Sequence, residues 1–169
     1  LDGKPMVADE KLQPVLADGM PVMSMGFLIP PGEAVVWRGP MLMGALQQML
    51  SQVQWGALDI LLVDLPPGTG DIQLTLVQTV PVTGAVMVTT PQEVAVADAI
   101  KAMNMFLLPS VNVPIVGVVE NMAWLACPHC GEQLDIFGAG GGASVADALS
   151  RAVGADVPLL GSIPVDPGL

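Results

Sequence analysis

Strand-length apolar runs alternate with segments of helical period along most of this sequence. The apolar runs that predict strands are residues 21–28, 59–65, 84–90, 113–121 and 157–164. The segments that predict helices are residues 39–55, 91–108 and 142–154, with another helix that begins near Asp71. Because a helix that joins two parallel strands makes a right-handed crossover, this order predicts an α/β fold with a mostly parallel sheet and helices on both of its faces.

The length and charge of the chain narrow the class of protein. A length of 169 residues suits one domain with a sizeable core. The 16 acidic residues outnumber the 5 basic ones, which gives a net charge of −11, and such a surface repels the phosphate backbone of nucleic acids. No apolar run approaches the ~18 residues that cross a bilayer. We therefore expect neither nucleic-acid binding nor membrane association.

The two cysteines, Cys127 and Cys130, are spaced as C-x-x-C, so both thiolates can face one metal centre. They make a poor disulfide scaffold, which favours a reducing cytoplasm. Structural zinc and iron–sulfur clusters usually take four ligands. We do not expect His129 to be one of them, because adjacent residues do not easily converge on one ion. The spacing alone leaves open a zinc knuckle, an idle pair of thiols, or a metal centre that two copies share across a two-fold axis.

Within the predicted strand of residues 59–65, four apolar residues lead to the carboxylate of Asp64. In P-loop proteins that hydrolyse nucleotides, an aspartate in the place of Asp64 holds the magnesium shell. Gly68 lies in the Pro- and Gly-rich loop that follows, and backbone amides of such a loop could sense a γ-phosphate. The alternative is an ordinary strand-to-helix turn in which Asp71 caps the helix.

Five motifs occur in an order that resembles the Mrp-type iron–sulfur cluster carrier ATPases, which are relatives of MinD and of the nitrogenase iron protein. The motifs are VWRGPM, VDLPPGTGDIQLTL, PVTGAVMVTTPQ, GVVENMAW and CPHCG followed by IFGAGGG. The resemblance covers nearly the whole chain. It implies an ATP- and Mg²⁺-dependent carrier that binds a [4Fe–4S] cluster at a homodimer interface and passes it to apo iron–sulfur proteins. It also implies that Cys127 and Cys130 of each copy hold that cluster.

The same resemblance implies roles for residues near the nucleotide. It assigns Asp64 to the magnesium shell, Gly68 to the γ-phosphate loop and Asn121 to contact with adenine. Pro164 and Asp166 match a loop that flanks the base in this family. An asparagine that only forms a turn after a strand is the alternative for Asn121.

One element of the family pattern is missing from the sequence. No glycine-rich loop with a lysine precedes the motifs, and the basic residues are Lys4, Lys11, Arg38, Lys101 and Arg151. We therefore expect residues 1–169 to form a single partial P-loop ATPase domain that lacks the first strand, the phosphate loop, the first helix and C-terminal helices. We expect this chain alone to be inactive as an ATPase. The role of Arg38 is not assigned.

Two other functions compete with a cluster carrier. A MinD- or ParA-like positioning ATPase would need no metal, and the C-x-x-C pair argues against it. A structural dimer linked by zinc would need no catalysis. A visible absorption spectrum after anaerobic reconstitution separates the carrier from both.

Overall fold

The computed structural model describes residues 5–8, 11–29, 39–66 and 71–168. Contacts divide these residues into two compact units. The first unit holds the described residues up to Pro66 together with Asp71–Thr79, and the second holds those from Val80 onward. Arg38 and Gly68 lie outside the described residues.

The first unit contains two short hairpins and two helices. β1 (Met6–Ala8) pairs antiparallel with β2 (Lys11–Gln13), and β3 (Val15–Ala17) pairs antiparallel with β4 (Met20–Val22). The second hairpin turns at Asp18 and Gly19, whose φ angles of 48° and 82° are both positive. An Asp-Gly pair is a strong signal for such a turn, since both residues tolerate positive φ.

The helices of the first unit are α1 (Gly39–Ser51) and α2 (Asp71–Thr79), which contact each other. The predicted start near Asp71 is confirmed. α1 ends earlier than the predicted residue 55, because the backbone beyond it pairs with β2. Leu12 donates to the carbonyl of Gln52 at 3.0 Å and accepts from the amide of Gln54 at 2.8 Å.

The strand predicted at residues 21–28 is wrong beyond Val22. A 3-10 helix follows at Met25–Leu28, and the Ser24 hydroxyl caps it by accepting from the Gly26 amide at 3.2 Å. A serine at this position favours a helical turn over a continued strand because its hydroxyl satisfies an amide that the turn leaves unpaired.

The strand predicted at residues 59–65 is also wrong. No strand of the described ranges pairs with this run, and its backbone is irregular. Ile60 and Leu62 expose 76% and 89% of their surface. A strand is held by hydrogen bonds to its neighbours, so an apolar run without a neighbour does not become one.

The second unit contains a parallel three-stranded sheet in the order β5–β6–β9. Its elements are β5 (Ala85–Thr89), α3 (Glu93–Phe106), β6 (Ile115–Glu120), β7 (Leu125–Ala126), β8 (Gln133–Leu134), α4 (Gly141–Val153) and β9 (Leu159–Ser162). α3 and α4 contact each other and the sheet. The predicted α/β class with a parallel sheet is confirmed.

The core of the second unit lies between α4 and the central strand. Val118 of β6 and both Val145 and Leu149 of α4 have no exposed surface. α4 stops at Gly154, whose φ of 69° is the left-handed conformation that glycine adopts without strain. None of the helices in the described ranges combines the length and the hydropathy needed to cross a bilayer.

Candidate functional site

The ends of the three parallel strands meet at one edge of the sheet in the second unit. The amide of Asn121 donates to the carbonyl of Thr89 at 2.7 Å, and the amide of Ile163 donates to the carbonyl of Glu120 at 2.8 Å. These bonds tie the end of β6 to the ends of both neighbouring strands. Ligands of open parallel sheets bind at this type of edge.

Backbone hydrogen bonds continue beyond the sheet, in what we call the strand-end ladder (residues 120–125 with residues 163–165). The Ala123 amide donates to Ile163 at 3.0 Å, and the Val165 amide donates to Trp124 at 2.7 Å. Leu125 and Val165 also form a parallel bridge. Pro164 lies between the two donors of its segment, so its missing amide costs the ladder nothing.

Asn121 is half-buried at the start of this ladder. Its side-chain oxygen Oδ1 accepts from the Met122 amide at 2.9 Å, and Met122 has a positive φ of 53°. Asn121 thus does form a turn after the strand. Among the described residues its Nδ2 group makes no hydrogen bond.

The loop predicted to flank a base lies beside Asn121. Pro164 is exposed, and the ladder holds its two neighbours against residues 120–125. Asp166 is also exposed, and its Oδ1 accepts from the Gly168 amide at 2.8 Å. The structure therefore brings Asn121 and Pro164 to the same edge, with Asp166 just beyond the ladder.

Two polar residues at this edge were not predicted from the sequence. The Thr90 hydroxyl is buried and has no hydrogen-bond partner among the described residues. Glu120 is only 6% exposed. Its signal in the sequence was a carboxyl group at the end of a buried apolar strand, where burial demands hydrogen-bond partners.

Cys127 and Cys130 lie in a tight turn at the tip of a small hairpin. β7 and β8 pair antiparallel, and the Cys127 amide donates to the Glu132 carbonyl at 2.8 Å. The Gly131 amide closes the turn by donating to Cys127 at 2.8 Å, with a φ of 76° that suits glycine. Cys130 and His129 are exposed, and Cys127 is half-exposed. The turn thus presents both thiols at the surface.

The turn also favours the thiolate form of Cys127. Hydrogen bonds from the backbone amides of Cys130 and then His129 lower the pKa of Cys127 below its ordinary value of 9.0, and a hydrogen bond with the Cys130 thiol lowers it further. These donors stabilise the negative charge that a metal ligand must carry. No group of three or more His, Cys, Asp or Glu that could hold a metal ion occurs in the described part of the chain.

The chain returns from the cysteine hairpin to the sheet edge through a glycine-rich loop. Gly138 and Gly140 have φ angles of 93° and 76°. Gly141 then lies against the backbone of Pro91, where an added Cβ would stand 2.7 Å from the Pro91 Cα. The loop thereby leads directly into α4.

The predicted magnesium ligand belongs to the first unit. Asp64 is exposed on the irregular run and lines a cavity of about 740 Å³. The described lining is otherwise uncharged and includes Met20, Met23, Met25, Leu46 and Ile72. Because Asp64 and Asn121 lie in different units, the expectation that they face a shared cleft stays a prediction, as does the role of Gly68.

A profile of the NUBPL iron-transfer P-loop NTPases, within the ParA group, matches residues 1–169. The chain is 54% identical over 158 residues to an iron–sulfur cluster carrier protein of Deinococcus radiodurans, which covers 94% of the chain and 42% of that protein. It is 50% identical over 145 residues to a protein of the same name from Pyrococcus horikoshii, which covers 86% of the chain and 46% of that protein. The chain thus spans less than half the length of these relatives.

A solved structure shares the fold. It is a nucleotide-binding protein from Archaeoglobus fulgidus in complex with ADP, with cobalt found in the sample. It superposes with a TM-score of 0.72 at 39% sequence identity, over 98% of this chain and 61% of that protein.

Proposed function

Because the chain belongs to the NUBPL iron-transfer P-loop NTPases, we propose that it acts as part of an ATP-dependent iron–sulfur cluster carrier. The cargo is a [4Fe–4S] cluster that two copies of the chain hold between them and pass to apo-proteins. The proposed setting is a reducing cytoplasm, where thiolates persist.

The cysteine turn is the observation that carries this proposal. It exposes two thiols, and its backbone amides favour the charged form of Cys127. A thiolate is the form that binds iron. Exposed thiols also suit a carrier, because an acceptor protein must be able to approach the ligands of a cluster that is to be transferred.

The demand for four ligands supports a dimer. The sequence contains two cysteines, and a [4Fe–4S] cluster usually takes four thiolates. A two-fold axis through the cluster brings the two cysteines of each copy together, which gives four thiolate ligands. The hairpin places its thiols at a tip, where a second copy can approach.

The strand-end edge supports nucleotide binding in the second unit. The Nδ2 group of Asn121 is a donor suited to the ring nitrogens of a base, and exposed Pro164 can pack against the ring face. Asp64 and Gly68 are proposed to serve Mg²⁺ and the γ-phosphate. The Archaeoglobus relative is a nucleotide-binding protein in complex with ADP, which supports nucleotide binding by this chain.

The test is anaerobic reconstitution with iron and sulfide, followed by absorption spectra and by iron counts per chain. We expect a [4Fe–4S] spectrum with two irons and two sulfides per chain. Cys127→Ala and Cys130→Ala should each abolish the spectrum and leave the circular dichroism unchanged, since the turn lies outside the core. His129→Ala is the matched control in the same turn and should retain the cluster.

Two outcomes would contradict the proposal. Four irons per chain with a monomer in solution would contradict a bridging cluster. Zinc that stays bound through reconstitution, with no visible absorption, would favour the structural zinc dimer instead.

A further inference from the structure

Glu120 is a buried carboxyl residue at the end of the central strand β6. It is 6% exposed, and the residue that follows it is Asn121, the proposed base contact. A buried carboxyl group is costly unless hydrogen bonds satisfy its oxygens. The proposed chemistry at the cysteines and at the nucleotide does not by itself require this group.

The partners of Glu120 come from two other segments. Its Oε1 accepts from the Gly142 amide, in the first turn of α4, at 2.9 Å, and its Oε2 accepts from the Ser162 hydroxyl, at the end of β9, at 3.4 Å. Its backbone carbonyl accepts from Ile163 at 2.8 Å. One residue therefore joins the strand end, the start of α4 and the segment that leads to Pro164.

The cysteine segment, residues 127–140, leaves and returns at this same point. It leaves along the strand-end ladder, whose last bridge joins Leu125 to Val165, two residues before Cys127. It returns at Gly141 and Gly142, which Glu120 holds through the Gly142 amide. Both ends of the segment are thus fixed to the strand end that carries Asn121.

We propose that Glu120 is a positioning residue that fixes the cysteine segment to the strand end, so that nucleotide binding at Asn121 changes the reactivity of Cys127 and Cys130. This inference rests on the proposed function, since it requires nucleotide at this edge. It adds a structural connection between the proposed nucleotide site and the cysteines, and it names Glu120 as the residue on which that connection depends.

Close packing makes the link specific to this pair of positions. A Cβ added at Gly142 would stand 2.7 Å from the Glu120 Cβ and 3.0 Å from a Leu159 methyl carbon. Any side chain at residue 142 must therefore push the start of α4 away from the strand end. Gly142→Ala should break the link without removing the carboxyl group.

The test measures thiol reactivity in the full-length protein without its cluster. The rate at which a maleimide labels Cys127 and Cys130 is measured by mass spectrometry, with and without saturating MgATP. We expect saturation to change the wild-type rate by about fivefold or more, the lower range of measured couplings between sites. Glu120→Ala and Gly142→Ala should each reduce that change to about twofold or less.

Matched variants separate positioning from general damage. Glu120→Gln should keep the response, because its side-chain oxygen can accept from Gly142 and its amide can donate to Ser162. Asp147→Ala removes an exposed acid from the same helix and should keep the response. Gly161→Ala adds a methyl group where nothing lies within 4 Å, so it should also keep it. Nucleotide titration of every variant confirms that each is saturated.

The outcomes distinguish this inference from the proposed function. A full response in folded Glu120→Ala and Gly142→Ala would overturn the inference and leave the carrier proposal standing. A wild-type protein that binds ATP but shows no change in labelling would overturn both the inference and regulation by nucleotide. If Glu120→Ala fails to fold, Gly142→Ala and Glu120→Gln still decide the question.

Discussion

Two apolar runs of this chain have nearly the same pattern, yet only one is a strand. Residues 59–65 and residues 113–121 both consist mainly of Val, Leu and Ile and both lead to a polar residue, Asp64 or Asn121. The later run forms β6, which pairs with β5 on one side and β9 on the other. The earlier run has no ladder partner among the described residues, and Leu62 is the most exposed of its apolar side chains.

The difference shows that a polar residue at the end of an apolar run takes a defined position when neighbouring strands pair with that run. Asn121 has a defined position because Thr89 binds its amide and the ladder continues beyond it. Asp64 follows an equally apolar run, but no described strand fixes it. The same sequence signal therefore yields a strand end held by hydrogen bonds in the second unit and, in the first, a carboxylate on a run that no described strand pairs with.

The largest expected effect concerns ATP hydrolysis. We expect the 169-residue chain to release phosphate at least about 100-fold more slowly than the same chain extended at its N-terminus by a lysine-bearing phosphate loop, since loss of even one preorganised donor costs about 10²–10³ in rate. Its sequence has no lysine-bearing phosphate loop, and in its proposed role Asp64 alone would add negative charge beside a polyanion. The measurement is steady-state phosphate release from both proteins.

Asp64→Ala in both proteins is the control for this assay. Equal activity in the short and long proteins, lost on Asp64→Ala, would show that the phosphate site is misplaced. It would also show that the run at residues 59–65 is as well anchored in solution as β6.

A second effect compares a buried leucine with an exposed one. Leu149→Ala should lower the free energy of unfolding by about 2–5 kcal/mol, because it opens a cavity where no surface is exposed. Leu62→Ala removes the same atoms from a residue that is 89% exposed and should change the free energy by less than about 0.5 kcal/mol. Urea unfolding followed by tryptophan fluorescence measures both. A cost above about 2 kcal/mol for Leu62→Ala would mean that the run packs into a core in solution.

The smallest effect sharpens the account of the cysteine turn. Alkylation requires the thiolate, and the amides of Cys130 and His129 lower the pKa of Cys127. The rate for Cys127 should therefore reach half its maximum at a lower pH in the folded protein than in urea, where the turn is lost. A pH–rate profile with iodoacetamide measures this shift. Identical profiles in the two conditions would contradict the claim that the folded turn lowers the pKa of Cys127 and favours its thiolate form.

The sequence predicted the parts whose partners are close along the chain. The helix near Asp71, the β5–α3–β6 unit and the glycine stop after α4 follow from local pattern, and all are observed. The asparagine turn was weighed and is also observed. The two cysteines were found as a pair, and the structure places them in one turn.

The rest depended on contacts that sequence pattern does not contain. α1 ends early because β2 pairs with the backbone beyond it, and the run at residues 59–65 fails as a strand for want of a neighbour. The hairpin at Asp18–Gly19 was not predicted, although an Asp-Gly pair is a typical turn sequence. The role of Glu120 was not predicted, because a single acid at the end of an apolar run does not indicate which groups will donate hydrogen bonds to it.

The strand-end ladder consists of backbone atoms alone, and this decides how freely its sequence can vary. Replacing the side chain of Trp124 or Val165 leaves the amides and carbonyls of the ladder in place. Proline is the exception: it is harmless at residue 164 but would delete a donor at Ile163 or Val165. Side chains near the proposed base site can therefore be exchanged, for example to seek another nucleotide preference, while the backbone connection to the cysteine hairpin stays the same.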